Sequence, residues 1–302
     1  MSEKEKAAAI RKISLKKFQS FVESLYNKTY IEAMFYGNTS KKDASNLISE
    51  IKTTFNKETY PEKEQYTKEI ISLPDDKGPF YVESKIKMQG NAAILALEFE
   101  PFDFKARAAQ SILMQGISGP FFSELRTKQQ TGYIVFSTDQ DIDRHLFNLF
   151  AVQSVTHDPR DLLSRFELFI ENFLQEMQRE EFTEERFNKI KEATVKELET
   201  PAKSVEVMGS LLEMLAFEFH GDFMWMDKRL STTKALTYEE FIDYAKKMLG
   251  KKNKRRLAIL VRGALEDKSL NYTRATSASE VRNFSTYSAS DTEVDTSISP
   301  AE

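Results

Sequence analysis

Gly119-Pro120-Phe121-Phe122-Ser123-Glu124-Leu125-Arg126-Thr127-Lys128-Gln129-Gln130-Thr131-Gly132-Tyr133-Ile134-Val135-Phe136-Ser137 reads as a helix end carrying Arg126, a passage through Thr131-Gly132, and a strand that begins with Tyr133. A loop between a helix and a strand is where polar side chains can face a cleft. A guanidinium offers five fixed donors for carbonyl or carboxylate oxygens. A phenol can donate one proton to a developing oxyanion. The same residues also admit a plainer account, an exposed arginine and a half-buried strand tyrosine.

Outward from this stretch the chain alternates elements without strict βαβ order. Ile13–Asn27 has the spacing of an amphipathic helix with Ser14 as its N-cap, and Thr29–Tyr36 reads as a strand stopped by Gly37-Asn38. Ser40 caps a helix through about Phe55. Positions 56–68 are polar, carry Pro61, and read as a linker. Phe80–Lys87 and Asn91–Phe99 read as strands joined by a turn at Gln89-Gly90. Phe104 to about Gln130 reads as helix interrupted near Gly116 and Gly119-Pro120. Tyr133–Ser137 and Leu146–Val155 read as a strand pair around a charged connection, Asp139 to Arg144. Four helices follow, opened by Asp158-Pro159, Thr183, Ser204 and Thr237, the last with Glu240 completing a capping box, and Arg256–Arg262 closes as a strand. This grouping predicts an α+β fold, helices packed on a largely antiparallel sheet. From about Ser269 the chain is rich in Ser and Thr, a composition expected to be poorly ordered.

With 302 residues, the chain has room for about two domains at roughly 150 residues each. The net charge of −4 excludes the basic footprint of a nucleic-acid binder. No apolar run approaches the ~20 residues of a membrane span, and the first residues have no apolar signal region, so the expected partners include neither nucleic acid nor membrane. A soluble protein, periplasmic or cytoplasmic, is expected. Cysteine is absent, which removes disulfides, thiolate metal sites and a cysteine nucleophile.

The three histidines, His145, His157 and His220, lie in no H-x-x-E-H or H-E-x-x-H arrangement, which would set two imidazoles on one helix face beside a glutamate. They read as surface or capping histidines, so no metal site is expected from this chain alone. A nucleophile elbow and a phosphate loop are both missing from the pattern. The acidic group Glu180-Glu181 and Glu184-Glu185 reads as a solvated helix N-terminus.

The stretch around Arg126 and Tyr133 closely resembles the signature of the C-terminal half of insulinase/pitrilysin-type (insulin-degrading-enzyme-like) zinc metallopeptidases. That signature is a helix with Leu-Arg-Thr-Lys, an acid or amide, then Gln, followed by Gly-Tyr-Ile-Val-Phe-Ser. The resemblance extends to Thr29–Gly37 with the helix that follows, similar to the end of the family's third domain, and to Ile71 through about Arg262, similar to its fourth. It implies residues 1–68 as a remnant of a third insulinase-type domain and 69–265 as the fourth, which leaves 266–302 as the Ser/Thr-rich tail whose composition is expected to be disordered. It implies a metalloendopeptidase that degrades peptides in a closed chamber, with zinc held by H-x-x-E-H in a missing N-terminal half. That half would belong to the same parent chain or to a separate subunit. Arg126 would then bind substrate and Tyr133 would stabilise the reaction intermediate. The chain alone is expected to be inactive, since it lacks the motif. The alternative is a non-catalytic scaffold or peptide-binding module that pairs with a separate zinc-bearing subunit.

Overall fold

The sheet is built around Asn91–Phe99, where Ala93, Leu95 and Leu97 alternate into the core. The computed structural model describes residues 3–55, 58–64, 70–99, 101–264 and 275–283. Helices α1 (Glu3–Ile10) and α2 (Leu15–Ser24) come first, α2 capped by the Ser14 hydroxyl accepting from the Lys17 amide. The two-residue strand β1 (Lys28–Thr29) pairs in parallel with β2 (Glu58–Thr59), and α3 (Lys41–Thr54) lies between them behind a Ser40–Asp43 capping box. The strand expected over Thr29–Tyr36 is therefore only two residues long. Beyond Thr29 the backbone has no ladder partner among the described residues.

The main sheet contains β3 (Phe80–Lys85), β4 (Asn91–Phe99), β5 (Ile134–Ile142), β6 (His145–Ser154) and β7 (Arg256–Arg262), in the order β3-β7-β4-β6-β5. Only β3–β7 is parallel; the other three pairs are antiparallel. The fold is thus α+β with a largely antiparallel, mixed five-stranded sheet. Helices α4 (Phe104–Phe122), α5 (Pro159–Glu176) and α9 (Tyr238–Leu249) pack on one face, enclosing Leu95, Leu97, Ile112, Phe121, Phe150, Phe166 and Phe241. Alternation turns Val82, Ile259, Ile94, Ile134 and Phe136 to the opposite face, where they remain exposed.

Helices α6 (Glu184–Glu199), α7 (Val205–Glu213) and α8 (Trp225–Ala235) precede α9 in the chain. Beside α8, Phe219 stacks on Trp225 at 3.9 Å between ring centroids, with Phe102 and Phe104 against the same indole. α8 was not foreseen from the sequence: no side chain caps it at Met224, and its apolar residues do not keep a helical period. α1 was likewise not foreseen.

Two boundaries differ from expectation for reasons visible in the packing. α4 does not break at Gly116 or Pro120; both lie inside it. Pro120 has no N–H to donate to the Gly116 carbonyl, and that oxygen instead accepts from Arg186 Nη2 at 2.8 Å. Gly116 itself sits under Phe182, whose ring a Cβ would meet at 2.1 Å. The charged connection expected between β5 and β6 is in fact strand, and the hairpin turns at Asp143-Arg144 alone, both at positive φ (51° and 65°).

The described residues divide into one unit ending at Ala264 and a second beginning at Leu265. In the second, α10 (Ala278–Asn283) is preceded by Thr276, which bonds Glu280. Most of the tail expected over 266–302, and the linker positions 56–57 and 65–68, lie outside the described residues.

Candidate functional site

After Phe122 the α4 backbone widens into a π-helical turn, Ser123–Lys128, which the Gln129 amide closes on the Glu124 carbonyl at 3.0 Å. Gln130 then takes a left-handed conformation with φ 52°. Buried Thr131 bonds back to the Leu125 carbonyl through both its amide (3.0 Å) and its hydroxyl (2.9 Å). These bonds satisfy the last helical carbonyls and turn the chain sharply toward the sheet. Gly132 passes so close to β6 that a Cβ would stand 1.9 Å from the Gln153 carbonyl oxygen. The loop is also tied to α5: Arg165 Nη1 donates to Gln129 Oε1 at 2.7 Å, and Gln129 Nε2 donates to Glu124 Oε1 at 2.9 Å. The bonds from Gln129 and then Lys128 hold the Glu124 carboxyl below the usual carboxylate range.

This path brings Arg126 and Tyr133 together. Arg126 Nη1 donates to the Gly132 carbonyl at 2.8 Å, and its guanidinium lies over the Tyr133 ring, 4.4 Å from the centroid. Phe122, a partner the sequence did not flag, lies 6.0 Å from the same guanidinium. Its signal was faint: of the adjacent pair Phe121-Phe122, the helical period buries one and exposes the other. Tyr133 precedes β5 and is 82% exposed, so it is not the half-buried strand residue of the plainer account. Its hydroxyl makes no hydrogen bond among the described residues. The pair therefore presents a hydroxyl and unused guanidinium donors to solvent at the start of the edge strand β5, beside the exposed Ile134 and Phe136.

The histidines fall in three separate settings. His145 Nδ1 pairs with the buried Glu98 at 2.9 Å. His157 bonds the Thr156 hydroxyl at 2.9 Å. His220, at φ 54°, lies 3.6 Å from Asp143. Glu98 also accepts from the Leu73 amide at 2.6 Å, and Arg255 pairs with Asp75, so this end of the sheet anchors the segment before β3. Among the described residues no group of three or more His, Asp or Glu could hold a metal ion. Around Arg107, burial raises the Asp141 carboxyl and lowers the Arg229 guanidinium, the mark of a charge cluster under the β5–β6 hairpin. A cleft of about 650 Å³ between β3 and α5, lined by Phe80, Tyr81, Leu163 and Arg256, includes neither Arg126 nor Tyr133. No described helix is long and apolar enough to cross a membrane.

Residues 112–210 match a family described as "PQQ synthase PqqF-like, C-terminal lobe domain 4". The chain is 28% identical to human insulin-degrading enzyme over 249 residues, 80% of this chain and 24% of that protein. It is 30% identical to an Arabidopsis thaliana nardilysin-like protein over 190 residues, 60% of this chain and 19% of the other. The fold matches the crystal structure of pitrilysin with a TM-score of 0.73 at 20% identity, covering 91% of this chain and 29% of pitrilysin. The chain spans about a quarter of the length of the curated relatives it matches.

Proposed function

We propose that this chain, whose relatives are insulin-degrading-enzyme- and nardilysin-like peptidases of family M16, is the C-terminal, non-zinc-binding part of a zinc metalloendopeptidase. Its domains would be residues 1–68, the remnant of a third insulinase-type domain, and 69–265, the fourth. The metal would belong to an N-terminal half outside this chain, in the same parent chain or a separate subunit. The chain's own contribution is to hold peptide and to stabilise negative charge on it.

The observation that carries this reading is the Arg126–Tyr133 pair. The guanidinium is preorganised by Gly132 and by the ring beneath it, and the phenol hydroxyl is free at the rim of an apolar sheet face. Tyr133 donates a hydrogen bond to the oxyanion of the tetrahedral intermediate, where charge is greatest. Arg126 uses its remaining donors on acceptors present in substrate and intermediate alike. The apolar face around Ile134, Phe136 and Ile94 takes the side chains of a peptide.

The test is steady-state kinetics on the enzyme assembled from this chain and a matching zinc-bearing half. Tyr133→Phe keeps the ring under Arg126 and removes only the hydroxyl. The expected result is a kcat lowered about a hundredfold with KM little changed. An unchanged kcat in the folded variant would overturn the catalytic role and leave the tyrosine as a support for Arg126.

A further inference from the structure

We propose that the free edge of β5 takes an extended peptide segment as a sixth strand of the sheet, bound through backbone pairing. This rests on the reading of the chain as part of a peptidase, and it names how the substrate would be held here.

β5 ends the sheet order β3-β7-β4-β6-β5. All nine of its residues pair with β6 without a slip, from Ile134 opposite Gln153 to Ile142 opposite His145. In such a ladder alternate residues turn their N–H and C=O groups away from the neighbour, and among the described residues no strand receives them. A row of unpaired donors and acceptors at strand spacing is satisfied in full only by another extended main chain.

Edges of this kind are normally guarded by shortness, by Pro or Lys, by a bulge, or by exposed charge. The opposite edge, β3, is guarded in this way. It is six residues long, follows Pro79, and carries Glu83, which pairs with Arg160 and Arg262, and Lys85. β5 has none of these devices. It contains no Pro, Gly or Lys, and its two charges, Asp139 and Asp141, are committed to Arg107 at 2.8 and 3.4 Å. Tyr133 to Thr138 is uncharged throughout, and Ile134 and Phe136 are 45% and 47% exposed.

The side chains say what such a peptide would look like. A strand laid beside β5 sets every second side chain on the face of Ile134, Phe136 and Thr138, next to Ala151 and Ile94 in the following strands. Alternate apolar residues suit those positions. At the start of the edge, Arg126 spends one nitrogen on Gly132 and lies over the Tyr133 ring, whose hydroxyl makes no hydrogen bond among the described residues. These groups complement the carbonyls or terminal carboxylate of a peptide.

The test uses the full chain and a fluorescein-labelled octapeptide alternating valine and serine. Two further versions carry N-methyl groups on all valine amides or on all serine amides. Strand addition uses the amides of one set only, and a one-residue shift would turn the valines off the apolar face. One methylated peptide should therefore bind about tenfold or more weakly and the other within about twofold of the parent. Hydrogen exchange across 134–142 should slow when the parent peptide is bound, and Phe136→Lys, an added edge charge at an exposed position, should weaken binding about tenfold. Equal loss with both methylated peptides, protection confined to another strand, or no binding overturns the proposal. A β5–β5 dimer of the chain that the peptide does not dissociate overturns it as well. If the peptide binds β5 but Tyr133→Phe leaves kcat unchanged, strand addition stands and the catalytic role falls. If kcat falls but β5 is unprotected, the reverse holds.

Discussion

Gly132 holds the two site residues in place because nothing larger fits there. Its Cα passes the Gln153 carbonyl so closely that a methyl would need roughly an ångström or more of backbone displacement. Gly132→Ala should therefore lower stability by about 3 kcal/mol, read by urea denaturation, and should release Arg126 from the Gly132 carbonyl. A loss below about 0.5 kcal/mol would mean the β5–β6 junction yields easily. Arg126 separates shape from charge. On the proposed substrate-binding role, Arg126→Ala should mainly raise KM in the assembled enzyme, since the groups it would grip exist before and during reaction. Arg126→Lys should rescue poorly, because a point charge can neither stack on Tyr133 nor reach two acceptors. Full rescue by lysine would show that only the charge counts.

Helix α4 shows an element repaired from outside. Pro120 removes the bond its amide would have made to Gly116, and Arg186, from α6, satisfies that buried carbonyl instead. Arg186→Met should then cost about 1–2 kcal/mol, the cost of a buried acceptor without a partner. In a Pro120→Ala background the restored N–H can bond Gly116, so the same substitution should cost clearly less. A double-mutant cycle by chemical denaturation measures the difference, and additive losses would refute the repair. The guanidinium also lies 5.5 Å from the Phe182 ring that covers Gly116. This accounts for glycine, proline and phenylalanine meeting at one point.

At the scale of the molecule the two ends of the first unit are unequally covered. From β4 to β7 the sheet and helices bury a continuous core, whereas α1, α2 and α3 contain no buried residue. Leu15, Phe18, Phe21, Val22 and Leu25 of the N-terminal part are all exposed. An apolar helix face of this size invites a partner or a protease. Limited trypsin digestion should cut within residues 3–64 first and leave a fragment spanning 70–264. An intact N-terminal part in a monomer, seen by mass spectrometry and sedimentation, would count against residues 1–68 as a remnant of a larger domain.

What the sequence determined by itself is local. Ser14, Ser40, Asp158, Thr183, Ser204 and Thr237 each cap the helix expected of them, because a cap needs only a side-chain oxygen and an amide two or three residues on. β4, β6 and β7 were legible from their apolar runs, and the passage from the end of α4 through Thr131-Gly132 into β5 from a motif that crosses a helix end into a strand. Tertiary structure decided the rest. The parallel seat of β7 beside β3, the continuity of α4 through Pro120, and α8, whose Trp225 packs on Phe102 and Phe104, depend on residues far apart in the chain. The hairpin turn at Asp143-Arg144 was hidden because neither residue is a glycine, and pairing with β6 carries β5 into charges that read as loop. The stacking of Arg126 on Tyr133 was equally out of reach. It follows from a widened helical turn, a left-handed Gln130 and the close pass of Gly132 over Gln153, and only the packed sheet imposes all three together.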